Sequence, residues 1–127
     1  MRKLFFTAAA VALALSAAGM AQAQSNLPAN VKVTGGALTD AAGKALYTYD
    51  NDTMKSMSHC VGQCARSWPP LEAPANAQAS GDWTIVMRED GKRQWAYKDK
   101  PLYYFVRDVA GQPPKGGSVE SWQLAKP

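Results

Sequence analysis

The sequence predicts a mainly β domain of antiparallel hairpins or a meander, built from two related repeats, with one short helix carrying Cys60 and Cys64. Three observations lead there. First, one phrase occurs twice: Leu46-Tyr47-Thr48-Tyr49-Asp50-Asn51-Asp52 and Leu102-Tyr103-Tyr104-Phe105-Val106-Arg107-Asp108 both read Leu-Tyr-x-aromatic-x-x-Asp. An internal repeat of this kind says that a fold is assembled from similar units. Second, each copy is followed by a tryptophan, Trp68 after the first and Trp122 after the second. Third, short runs rich in aromatic and β-branched residues are separated by Gly, Pro and Asp turn signals, as in a meander, sandwich or small barrel.

Residues 1–23 read as a signal peptide. Arg2 and Lys3 make a positive start, Leu4 to Ala18 an apolar run, and Ala21-Gln22-Ala23 a cleavage signal. No Cys stands at the cleavage point, so no lipid anchor is expected. No second apolar run approaches the ~20 residues of a membrane span. The expected product is periplasmic or secreted, a single domain over residues 24–127, with repeat one at about 31–71 and repeat two at about 82–124.

Along that domain, Ser25 to Asn30 reads as a flexible arm. Val31 to Thr34 alternates apolar and polar residues, Gly35-Gly36 permits a bend, and Ala37 to Asp40 continues extended. Asp40-Ala41-Ala42-Gly43 is a turn signal, and Lys44 to Tyr49 is the return strand of a hairpin. Asp50 to Met57 is a polar loop. Ser58 is a helix N-cap candidate, with His59 to Ser67 as two helical turns stopped by Pro69. Leu71 to Ser80 is rich in Ala and Pro without periodicity, which suits a linker. Trp83 to Arg88 and Arg93 to Tyr97 flank the Asp90-Gly91 signal of a second hairpin. After a turn at Lys98 to Pro101, Leu102 to Val106 is the repeat strand, Ala110 to Gly117 an exposed loop, and Ser118 to Leu124 the closing segment.

Charge narrows the partners. The formal net charge of +4 includes Arg2 and Lys3 and is +2 without them. Basic and acidic residues interrupt each other, whereas nucleic-acid binding shows a basic stripe or patch.

Cys60 and Cys64 are the only cysteines and His59 the only histidine. In an exported chain an even cysteine count favours a disulfide. On a regular helix, side chains at this spacing lie with Cβ atoms ~5–6 Å apart, wider than the ~3.8 Å of a disulfide, so the bond needs local distortion, which Gly62 can supply. Metal binding is an alternative: Met54, Met57, His59, Cys60 and Cys64 put thioethers, an imidazole and thiolates close together, a set suited to copper. A free redox-active pair is another. No cofactor is assured by these residues; copper is the one they would take. The aromatics Tyr47, Tyr49, Trp68, Trp83, Trp95, Tyr103, Phe105 and Trp122 read as core, with a stacking platform for a ligand as the functional alternative. Asp52 and Asp108 fall where the repeat strands end and suit capping of the following turn through backbone N–H groups. An acid pair for glycoside hydrolysis is the competing reading. No catalytic set is otherwise legible: the chain has no G-x-S-x-G, no phosphate-binding Gly loop and no second histidine.

Tyr47-x-Tyr49-x-x-Asp52 and Tyr103-x-Phe105-x-x-Asp108 resemble a bacterial family of secreted or lipoprotein repeats of unknown function, described by a Y-x-(F/W/Y)-x-x-D motif. The stretch from Ser58 through Cys60, Gly62, Cys64-Ala65 and Trp68-Pro69-Pro70-Leu71 is similar to that family too, as are Asp90-Gly91 with Gln94-Trp95, and Pro101-Leu102-Tyr103. The resemblance implies an exported two-repeat domain and no established activity. The functional expectation is a non-enzymatic module that binds an envelope ligand or protein, with copper binding or copper-linked redox chemistry as the alternative.

Overall fold

The computed structural model describes residues 27–127, so the signal peptide expected at 1–23 lies outside the described residues. In chain order the elements are β1 (Val31–Thr34), β2 (Ala37–Asp40), β3 (Tyr47–Tyr49), α1 (Gln63–Ser67), β4 (Trp83–Met87), β5 (Arg93–Tyr97), β6 (Lys100–Pro101), a 3-10 turn (Gly116–Ser118) and β7 (Trp122–Leu124). All pairings are antiparallel: β1 with β2, β3 with β7, and β4 with β5 with β6. Among the described residues the chain is mainly β, with one tiny helix, as its sequence predicts. Among the described residues, no helix is long and apolar enough to cross a membrane.

The two halves repeat the same backbone pairing around a shared centre. At the centre, Tyr47 N–H donates to the Tyr103 carbonyl at 2.8 Å and Tyr103 N–H to the Tyr47 carbonyl at 2.9 Å. Around this bridge each half closes the same ring of backbone bonds. Leu46 N–H meets Leu38, Leu38 N–H meets Ala125, and Ala125 N–H meets Leu46; correspondingly Leu102 meets Trp95, Trp95 meets Leu71, and Leu71 meets Leu102. The last segment of each ring comes from the end of the other repeat, Ala125 for the first and Leu71 for the second. β7 lies on β3, and Pro70 makes the matching bridge to Tyr103.

Strand alternation around the central bridge divides the interior. Leu46 and Leu102 enter one cluster with Val31, Leu38, Leu71, Trp83 and Trp95. Tyr47 and Tyr103, one residue on, enter the other with Cys60, Trp68 and Trp122. Here four rings form a column. Phe105 stacks on Trp68 at 4.3 Å, Trp68 on Trp122 at 3.8 Å, and Trp122 on Tyr49 at 4.4 Å. The column repeats the exchange: the aromatic of each repeat covers the tryptophan of the other. Each such contact adds about 0.5–1.5 kcal/mol beyond area burial.

Four local expectations need correction. The expected turn at Asp40 to Gly43 forms, with Asp40 N–H on the Lys44 carbonyl and Thr39 bridged to Ala45, but Gly35-Gly36 is a full hairpin turn rather than a bend; φ of +61° and +82° there suits glycine, and β1 and β2 are its arms. The helix begins at Gln63 with Gly62 as its cap, so it carries Cys64 but not Cys60. Ser58 is drawn away from capping because its hydroxyl bonds the Tyr103 phenol. Leu71 to Ala73 is not a free linker. It pairs beside β5, and the Arg93 guanidinium holds the carbonyls of Pro74, Ala75 and Ala77 at 2.6–2.8 Å. Finally, Leu102 to Val106 is not one regular strand: Tyr103 is shared between Tyr47 and Pro70 as isolated bridges.

Gly116 is the tightest point of the aromatic side. A Cβ there would lie 2.8 Å from the Tyr47 ring and 2.9 Å from Trp68 Cη2. Gly116→Ala is expected to cost about 1–3 kcal/mol in denaturant unfolding. Gly117→Ala, where a Cβ meets nothing within 4 Å, is expected to stay within about 0.5 kcal/mol.

Candidate functional site

The repeated motif forms two reciprocal pairs, each spanning the two repeats. Tyr47 donates its phenol hydrogen to Asp108 Oδ2 at 2.5 Å, and Tyr103 donates to Asp52 Oδ2 at 2.6 Å. The second oxygen of each carboxylate accepts a backbone N–H, from His59 at 2.6 Å for Asp52 and from Lys115 at 2.8 Å for Asp108. The carboxylates thus accept backbone N–H groups, but from residues seven positions on rather than from the turn directly after the strand. The exchanged phenols were not legible in the sequence. Each phenol oxygen has a further partner: Gly116 N–H for Tyr47 and the Ser58 hydroxyl for Tyr103. Burial, and next the hydrogen bond to the carboxylate, raise both phenols well above their ordinary value of 10.0. Tyr104, bonded to Asp40 at 2.8 Å, is raised for the same reasons.

This arrangement is structural chemistry. Asp52 is 1% exposed and Asp108 7%, and every carboxylate oxygen is occupied. An acid pair for hydrolysis needs carboxyls that reach a substrate, so the hydrolytic reading loses its acids.

The copper reading is also corrected. Cys60 and Cys64 are joined by a disulfide, with Cα atoms 5.1 Å apart, which takes both thiolates out of any donor set. Cys60 is fully buried against the aromatic column, while Met54 and Met57 are exposed. Among the described residues no group of three or more His, Cys, Asp or Glu side chains is placed to hold a metal ion. The structure thus brings His59 beside Asp52, Nδ1 to Oδ1 at 3.7 Å, rather than into a ligand cluster with the sulfurs.

What remains is a departure from the repetition. By the ring of backbone bonds, Trp95 corresponds to Leu38, so Gln94 with Val86 corresponds to Ala37 with Thr34. The first hairpin turns there. The second continues through Met87 and Arg93 to a bond from Arg88 N–H to the Lys92 carbonyl. The extra length drives Arg88 inward against the disulfide elbow, where it is only 7% exposed. Its Nη1 donates to Gln94 Oε1 at 2.7 Å and Ser58 Oγ at 3.0 Å, and its Nη2 to the Cys60 carbonyl at 2.8 Å. Beside it a cleft of about 330 Å³ opens between Ser58, His59 and Val61 on one wall and Met87, Arg88 and Glu89 on the other, with Met57 at the rim. A cleft of the same volume lies at the corresponding place in the other half, between the loop after Asp108 and the first hairpin, but Thr34 and Ala37 stand there in place of the overhanging arm.

Arg88 is absent from the candidates that the sequence offers, and Gln94 enters there only through the family resemblance. The signal available was the unequal length of the two hairpins, with a lone arginine closing an otherwise aromatic and β-branched run.

The reciprocal pairs carry a pH prediction. Because the phenols are raised in the folded state, their contribution is complete below pH about 10 and is lost as pH rises through the folded value. Tyr103→Phe and Tyr47→Phe are each expected to cost about 1–3 kcal/mol at neutral pH by leaving a buried carboxylate short of a donor, and to reduce the alkaline loss of stability. Tyr49→Phe, whose hydroxyl only accepts from exposed Asn51, is expected to change stability by less than about 0.5 kcal/mol. Urea unfolding between neutral and strongly alkaline pH measures both effects.

No curated protein matches the chain, and no solved structure matches it. A family match covers residues 31–72 and again 84–126, falling on the two halves that the backbone bonds relate. The chain therefore belongs to the family described as a secreted repeat of unknown function, and carries two copies of that repeat.

Proposed function

We propose that this protein is a non-enzymatic binding domain of the cell envelope whose ligand-facing surface is the cleft between the disulfide elbow and the second hairpin. The observation that carries the reading is the local loss of repetition. Two halves that share the central bridge and its rings of backbone bonds diverge where Met87 and Arg88 overhang the elbow. Departures from an otherwise consistent design concentrate at functional sites. The walls suit a binding surface: Met57 is 45% exposed, Met87 63% and Val61 37%. Unbranched methionines adapt to varied apolar partners.

Export to the periplasm or beyond follows from the expected signal peptide at 1–23, and is supported by the family's description as secreted. The Tyr-x-aromatic-x-x-Asp phrase is, on this reading, the signature of the scaffold rather than of the site. Tyr47, Tyr49, Asp52, Tyr103, Phe105 and Asp108 build the joint between repeats, and the elbow next to the joint does the binding.

The test uses protein carrying isotope-labelled methionine methyl groups, screened by NMR against envelope sugars, peptides and lipid fragments. A ligand is expected to shift Met57 and Met87 saturably while leaving Met54 in place. Met87→Ser is expected to weaken it about tenfold, the worth of one partly buried methionine. Ligands that bind without disturbing Met57 or Met87 would refute the assignment of the cleft.

A further inference from the structure

We infer that the cleft takes an amphiphilic monoanion: a carboxylate seated on Arg88 with an apolar body lying over Met57, Val61 and Met87. This rests on the reading of the cleft as the binding surface and adds the chemistry of what enters it.

The argument begins with charge. Buried ionised side chains are ordinarily paired. Arg88 is nine-tenths buried, yet among the described residues no carboxylate lies within ion-pair distance of it. Its three acceptors, Ser58 Oγ, Gln94 Oε1 and the Cys60 carbonyl, are all neutral. Along the chain of hydrogen bonds the first carboxylate is Asp52, reached only through Ser58 and Tyr103, and its oxygens already accept from Tyr103 and from His59 N–H.

The guanidinium has five N–H groups, and these bonds use three of them. One on Nη2 and the one on Nε remain, and Nε is buried without a partner. Nε and Nη2 bracket one edge of the guanidinium, the fork with which arginine grips both oxygens of a carboxylate. Arg88 lines the cleft, and the exposed Met87 is next to it in the chain.

The rest of the lining selects among anions. Glu89 lines the cleft as well. One guanidinium facing a negative rim suits a single charge better than a phosphate dianion. The apolar side chains of Met57, Val61 and Met87 call for a hydrocarbon body behind that charge, which a bare inorganic anion lacks. The corresponding cleft in the other half has no arginine or lysine in its lining and supplies an internal control.

Octanoate, octanol and inorganic phosphate are the probes, each titrated into the labelled full domain and followed through the methionine methyls and the Arg88 Nε–H resonance. Octanoate is expected to shift Met57, Met87 and Arg88 Nε–H together, and to bind about tenfold or more tightly than octanol. Phosphate is expected to compete poorly. Glu89→Gln, an exposed change that leaves the fold alone, is expected to tighten octanoate, and Arg88→Gln to erase its advantage over octanol. The octanoate–octanol comparison stands on the unaltered protein if Arg88→Gln fails to fold. Equal binding of octanoate and octanol at the methionines would keep the cleft as a binding surface and overturn the anion. Phosphate outcompeting octanoate, or octanoate insensitive to Glu89→Gln, would likewise overturn it. Silence of the methionines and of Arg88 toward octanoate would overturn it too; ligands found in the envelope screen would then decide separately whether the cleft binds anything.

Discussion

The fold depends on an exchange. Each repeat buries an aspartate whose side chain is completed by the other repeat's tyrosine: Asp52 by Tyr103 and Asp108 by Tyr47. A buried carboxylate without its donors is costly, because desolvation is not repaid by water. Neither half can bury its aspartate alone, and neither can complete the central bridge between Tyr47 and Tyr103. The same logic governs the rings. Phe105 covers Trp68 and Tyr49 covers Trp122, so each half lends the other a face of its aromatic column. Short strands of two to five residues are marginal by themselves. Interdependence between halves is what makes so little regular structure hold a core.

Within that frame the disulfide has a specific local place. Counting from the motif aspartates, Cys60 stands where Gly116 stands in the other half, and both lie against the same aromatic column. In the second half the tight approach is met by a residue without a side chain. In the first it is met by a fully buried cysteine tied to Cys64 at the start of α1. Closing so short a loop restrains the unfolded chain only weakly. Its contribution is to hold the elbow in shape, and Arg88 grips the elbow from outside through the Cys60 carbonyl and Ser58. The rigid elbow and the flexible methionines beside it are complementary parts of one cleft.

Much of the architecture could be read directly. Two Leu-Tyr-x-aromatic-x-x-Asp phrases announced two repeats, and alternation within Leu46-Tyr47 and Leu102-Tyr103 put leucine and tyrosine on opposite faces. The turn expected at Asp40 to Gly43 forms, and Gly35-Gly36 closes a hairpin of its own rather than a bend, because β2 pairs with β1 as well as with Ala45 and Leu46. Leu71 to Ala73 looked like linker because its partners lie twenty or more residues away and leave no period in the local sequence. Ser58 looked like a cap because the phenol that claims it is far along the chain.

By itself the sequence determined the β character, the duplication and the identity of the residues at the joint, since each follows from composition, local alternation and self-similarity. Tertiary structure alone decided that the repeats trade partners, that the two sulfurs join each other, and that the longer second hairpin carries Arg88 under cover beside the elbow. The reason is physical: local pattern reports which residues prefer an interior or a turn, whereas pairing between distant polar groups is settled by which of them meet once the chain has closed.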